Sequence, residues 1–76
     1  MEELIAFIAK GLVSDPEAVS VKHSEQEDED RYDLEVDSED VGKIIGRQGR
    51  TAKAIRAVVD GAAAKQERRA RVEIVD

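Results

Sequence analysis

The chain has no cysteine, no tryptophan, a single proline and only two aromatic side chains, Phe7 and Tyr32. Without cysteine, neither a disulfide nor a thiolate metal site can form, which suits a reducing compartment. So few aromatics leave little for base stacking on aromatic platforms, which disfavours the RRM and OB-fold styles of nucleic-acid binding. No apolar run approaches the roughly 18 residues that cross a bilayer. The first residues show no cationic start, long apolar run or small-residue cleavage site, so no signal peptide is expected. The acidic run at 24–31 has no glycine and none of the ligand spacing of a calcium loop, so no metal is expected there. No nucleophile–base pair is evident. The reading is a non-enzyme that needs no cofactor. Seventy-six residues allow one small-cored domain, 1–76.

A second absence is local. No acidic residue lies between Asp40 and Asp60, whereas Lys43, Arg47, Arg50, Lys53 and Arg56 all fall there. Residues 25–40 carry ten carboxylates against one arginine, and the whole chain has a formal charge of -6. A purely cationic patch in an acidic chain points to an anionic partner. That patch contains Gly46-Arg47-Gln48-Gly49, a turn pinched by two glycines. Glycine has no Cβ, so a bulky group can approach its N–H. The helix pattern after Gly49 adds unpaired N–H groups and a positive dipole end. The turn lacks the Gly-Lys-Ser/Thr ending of a nucleotide-triphosphate loop.

The element order reads α-β-β-α-α-β. Residues 2–13 predict an amphipathic helix, with Leu4, Ile8, Gly11 and Leu12 on one face, Ile5 and Phe7 flanking it, and Phe7 in the core. Ser14-Asp15-Pro16-Glu17 is a turn. Val19–His23 is a short strand with His23 at the surface and without a partner. Residues 24–31 read as an exposed hairpin loop. Tyr32–Asp37 alternates, so Tyr32, Leu34 and Val36 face the core while Asp33, Glu35 and Asp37 face water. Asp37 or Ser38 caps a short helix carrying Val41, Ile44 and Ile45. A second helix runs from about Arg50 to Lys65, with a core stripe of Ala52, Ile55, Val59 and Ala62. Gln66–Arg69 is a polar connector, and Arg71–Val75 a strand with Val72 and Ile74 inward. Three strands and three helices imply an α+β two-layer sandwich, in which the strand–two-helix–strand crossover permits a parallel pair.

The stretch Ile44-Ile45-Gly46-Arg47-Gln48-Gly49-Arg50-Thr51-Ala52-Lys53-Ala54-Ile55 resembles the KH signature, in which an apolar pair precedes Gly-x-x-Gly and a helical isoleucine follows. The element order is similar to the type II (prokaryotic) KH fold over nearly the whole chain, and its size resembles the small bacterial stand-alone KH proteins of the KhpA type. The resemblance implies a three-stranded mixed sheet packed against three helices. It implies single-stranded RNA as ligand, a cytoplasmic location, and a role as RNA chaperone or post-transcriptional regulator. It also implies a homodimer, or pairing with a larger KH-containing protein of the KhpB (Jag) type, with no membrane partner. In that family Gly-x-x-Gly clamps the backbone of about four nucleotides.

Carried onto this sequence, the RNA-binding residues are Gly42, Lys43, Ile44, Ile45, Gly46, Arg47, Gln48, Gly49, Arg50 and Lys53. Backbone N–H groups around Arg47, Gln48 and Gly49 hold a phosphate, and the cations neutralise its neighbours. The bases are expected over an apolar groove walled by Val41, Gly42, Ile44 and Ile45 on one side and the strand near Leu34 and Val36 on the other. The acidic loop departs from the pattern, because it would repel a phosphate chain or recruit a basic partner. Ala54, Val58 and Gly61 form an apolar strip beside the core stripe of the second helix, and they are the expected dimer surface. The competing reading is a protein-interaction adaptor that uses the fold to dimerise, with vestigial RNA binding.

Overall fold

A computed structural model describes residues 1–75. Helix α1 (Glu2–Leu12) leads through a Pro16–Ala18 turn into β1 (Ser20–Glu25) and β2 (Glu29–Glu35). Helices α2 (Val41–Ile45) and α3 (Arg50–Ala64) follow, and β3 (Arg69–Val75) closes the chain. The sheet order is β1-β2-β3. β1 runs antiparallel to β2, with Val21 opposite Leu34. β3 runs parallel to β2, with Tyr32 opposite Val72. The fold is therefore α+β, with a mixed three-stranded sheet and three helices, as the element order predicts.

Alternation puts Tyr32 and Leu34 of β2 and Val72 of β3 inside, together with Val36 just beyond β2. They meet Ile5 and Ala9 of α1, Val41 and Ile44 of α2, and Ile55 and Val59 of α3. The outer sheet face stays wet through opposed charges in register: Lys22 pairs across to Asp33, and Arg31 Nε donates to Asp33 Oδ1 at 3.0 Å. The Lys22–Asp33 pair is cross-strand and the Arg31–Asp33 pair runs along β2; opposite charges facing each other across strands support a half-exposed sheet.

Four local expectations are corrected. α1 buries Ile5 and Ala9 rather than a Leu4–Gly11–Leu12 face, and Phe7 is 77% exposed. The helix is apolar over a wide arc, and small Ala9 lets it sit close to the sheet in this rotation. In α3, Ala63 takes the place of Ala62 in the core stripe. The hairpin loop shrinks to residues 26–28, closed by Gln26 N–H to Glu29 O at 2.8 Å. The strands therefore extend into the acidic run, and Asp30 is buried. His23 is not solitary. Its ring stacks on Tyr32 at a centroid distance of 4.6 Å and lies between Asp30 Oδ1 at 2.9 Å and Glu2 Oε1 at 3.5 Å.

Asp30 is tolerated inside because it is fully engaged. Arg68 Nε donates to its Oδ2 at 2.7 Å and Arg68 Nη2 to its Oδ1 at 3.2 Å. Arg68 also reaches Gln26 O at 3.0 Å. The connector before β3 is thus bolted to the β1–β2 hairpin. Buried Asp40 does the same at the opposite end of the sheet, accepting Ser14 N–H and Asp15 N–H, each at 3.1 Å. The Arg68 guanidinium, and then His23, hold the Asp30 carboxyl below its ordinary range. The Ser14 N–H, followed by the Asp15 N–H and Lys43, does so for Asp40.

Both carboxyls bind protons more weakly folded than unfolded. The stability they contribute is full above the ordinary carboxylate range and is lost as pH falls through the lowered values. Urea unfolding should show stability dropping steadily below about pH 4. Asp30→Asn and Asp40→Asn should each lower stability at pH 7 and flatten that acid limb. An unchanged limb in both variants would assign the acid sensitivity elsewhere.

Candidate nucleic-acid interface

The turn between α2 and α3 follows from its glycines. Gly46 caps α2, donating its N–H to Gly42 O at 2.8 Å, with φ 75 and ψ 172. That region of backbone space is essentially reserved for glycine. A Cβ at Gly46 would also lie 2.7 Å from Thr51 Cβ and collide with its hydroxyl. Arg47 keeps helical geometry, Gln48 turns left-handed at φ 58 and ψ 25, and Gly49 is left-handed at φ 74 and ψ 13. A right-handed residue followed by a left-handed one points successive N–H groups into a common concavity that suits an anion. The break at Gly46 starts a new helical run, so the N–H groups of Arg47 and Gln48 are not used up by the ladder of α2; the Gly49 N–H, expected to hold a phosphate as well, is instead donated to Gly46 O at 3.1 Å.

Arg47, Gln48, Arg50 and Lys53 are exposed around this turn, as expected, and Arg50 Nη2 lies 3.5 Å from Gln48 Oε1. Lys43 is placed differently from the expectation of a free phosphate ligand. Its ammonium donates to Ser14 Oγ and lies 3.4 Å from Asp40 Oδ1. Much of its charge is already matched. Ile44 is fully buried, while Ile45 is 40% exposed and Gly42 is exposed.

The expected apolar groove is not open. Val41, Ile44, Leu34 and Val36 are all buried and pack on one another as core. An open cleft of about 590 Å³ lies instead between α3 and the free edge of β3, lined by Arg56, Asp60, Glu29 and residues 68–73. Arg56 Nε donates to Val72 O at 3.3 Å across it. Four arginines, Arg56, Arg68, Arg69 and Arg71, face three carboxylates there, Glu29, Asp60 and Glu73. Seven residues of helix separate Gly49 from Arg56, about 10 Å, so turn and cleft lie along one side of α3. The motif does not flag Arg68, Arg69 or Arg71. Their signal in the sequence is the basic run Arg68-Arg69-Ala70-Arg71 beside a strand that the topology leaves at an edge.

A two-layer α-β-β-α-α-β domain with Gly-x-x-Gly joining two helices defines a KH domain. The family model described as KhpA/KhpB, KH domain, matches residues 2–74, and the chain belongs to that family. It is 46% identical over 76 residues to the RNA-binding protein KhpA of Halalkalibacterium halodurans, covering all of both chains. It is 49% identical to the RNA-binding protein KhpA of Clostridium perfringens, covering 99% of this chain and 100% of that one. The RNA-binding protein KhpA of Borreliella burgdorferi is 47% identical over 74 residues, 97% of this chain and 90% of that protein. Among solved structures, Era of Aquifex aeolicus matches 96% of this chain with a TM-score of 0.67 at 20% identity. The match spans 28% of that Era chain, and it is a likeness of fold.

The two glycines should differ sharply on substitution. Gly49→Ala meets no atom within 4 Å, so it should cost only its left-handed backbone, about 1–2 kcal/mol. Gly46→Ala combines a glycine-only conformation with a collision, and should cost about 3 kcal/mol or more. Gln48→Gly relieves left-handed strain and should leave stability unchanged or slightly raised. Urea midpoints of the three variants check the order.

Proposed function

We propose that this chain, as a single KH domain over residues 1–76, binds single-stranded RNA. A phosphate sits on the Gly46–Gly49 turn, and the adjoining nucleotides run along the α3–β3 cleft. The observation that carries the reading is the Arg47–Gln48 backbone concavity, ringed by Arg47, Arg50 and Lys53 with no carboxylate between Asp40 and Asp60. Relatives named as RNA-binding proteins support it. Phosphate contacts at the turn position the strand without reading it. Exposed Ile45 and the polar edge of the cleft offer base contacts by apolar packing and hydrogen bonds, in keeping with the scarcity of aromatics. The charges of Lys43, Arg68 and Arg71 are already matched by carboxylates, so one copy binds weakly.

The finer reading is a cytoplasmic RNA chaperone or post-transcriptional regulator. It works as a homodimer or with a KhpB (Jag)-type partner, through the strip Ala54, Val58 and Gly61. All three are exposed, and Val58 is 49% so. Two RNA sites on one particle recover affinity through effective concentration. The strip also favours the adaptor reading, in which association is the main task.

Arg47→Asp with Gln48→Asp places two carboxylates at the turn without touching the core, and should abolish binding of a short single-stranded RNA while circular dichroism and melting stay unchanged. For the unmutated protein, about three neutralised phosphates give a log–log salt slope near -2. Arg50→Ala and Arg56→Ala should each make it shallower. A folded double-Asp protein that binds RNA normally would hand the function to the adaptor reading. Val58→Asp should give a folded monomer by sedimentation; a wild-type protein already monomeric at high micromolar concentration would remove the dimer.

A further inference from the structure

We propose that the outward face of α1, anchored by Phe7, is the second half of the surface through which two copies of this chain associate, and that Phe7 of each copy seats on α3 of the other. The inference rests on the dimer reading above and extends it to a second helix. Phe7 is the only phenylalanine in the chain and is 77% exposed; Leu4 on the same side is 37% exposed. An isolated surface leucine is ordinary, but an aromatic ring left almost wholly in water beside another apolar residue marks an interaction site.

The two faces are neighbours. Glu2 reaches His23 of β1 at 3.5 Å, so that flank of α1 lies over the β1 edge of the sheet. The helical period turns Leu4, Phe7 and Gly11 the other way, towards α3, with which α1 is in contact. On α3, Arg56 reaches Val72 of β3, so Lys53, Arg56 and Asp60 lie over the β3 edge. Val58 and Ala62 then fall on the flank towards α1, with Ala54 and Gly61 outermost. Glu2 and Arg68 converge on the His23–Asp30 pair, which brings the start of α1 and the end of α3 to the same end of the molecule. The helices run antiparallel, and their apolar strips form one band on the outside of the helix layer. Lys53, Arg56 and Asp60 stay on the far flank of α3, while Arg50 and Lys65 border the strip at its two ends.

Area calls for both helices. A stable pair buries about 800 Å² per partner. A helix of 15 residues is about 22 Å long and about 10 Å across, so its outward face alone falls well short. Shape points to the same occupant. Ala54 and Gly61 are exposed and carry at most a methyl group, so α3 offers a shallow, small-residue face where α1 offers a large ring. A twofold axis makes each contact occur twice, ring on small face and small face on ring.

The test uses the full chain in two measurements. In sedimentation equilibrium, Phe7→Ser should raise the dimer dissociation constant at least about tenfold, with the circular dichroism spectrum unchanged because the ring makes no core contact. In a mixed sample of isotopically labelled and unlabelled protein, the single Phe ring should show intermolecular contacts to the Ala54 and Val58 methyl groups. A Phe7→Ser dimer of unchanged affinity, with no such contacts in the wild type, overturns the inference; the α3 dimer survives if Val58→Asp still dissociates it. Dissociation by Phe7→Ser but not by Val58→Asp overturns the inference and the α3 dimer together, as does a monomeric wild type. Weakened RNA binding by Phe7→Ser at unchanged sedimentation assigns the ring to RNA and overturns the inference.

Discussion

A parallel β2–β3 pair requires the chain to leave one end of the sheet, cross a face and return to the other end. Here that crossover is made by two helices, and it depends on how tightly the chain can bend between them. The bend is possible because Gly46 adopts φ 75 and ψ 172 and leaves room for Thr51. With Gly46 in place, Ile44 from α2 and Ile55 from α3 reach the same core, and β3 is delivered alongside β2. The same bend starts a new helical run at Arg47, which turns N–H groups outward. One steric constraint thus sets the topology and shapes the turn proposed to hold a phosphate.

Electrostatics divides the molecule along a different line. The acidic half of the sequence is not merely a solvated surface. Asp30 joins β1, β2 and the connector before β3 through His23 and Arg68, and Asp40 ties the end of α1 to the start of α2. Both are buried and fully hydrogen-bonded, the condition under which an interior charge is sustainable. These bonds also engage cations: Lys43 and Arg68 serve the fold before they can serve a ligand. Arg47, Arg50 and Lys53, beside the glycine turn, enter no ion pair among the described residues.

Much of this was written in local patterns. The Tyr32–Leu34–Val36 alternation, the two glycines, and the spacing of Ala52, Ile55 and Val59 each act over a few residues, and a few residues suffice to read them. The rotation of α1 was not legible, because its apolar arc is wider than the face it buries. Several stripes satisfy the period, and the one chosen depends on what lies beneath. The cleft was not legible either: Arg56 and Arg71 are fifteen residues apart in sequence and meet only because β3 returns at the sheet edge.

The sequence by itself determined the element order, the place and sharpness of the α2–α3 turn, and the cationic character of that turn. These are properties of backbone sterics and of composition within one short stretch. Tertiary structure alone decided that Asp30 and Asp40 are buried clasps, that the Val41–Ile44 side of α2 is core and not a groove, and that the open cleft lies between α3 and β3. It also decided that Phe7 faces outward. Each of these depends on which surfaces from distant parts of the chain exclude water together, and no window along the sequence contains both partners.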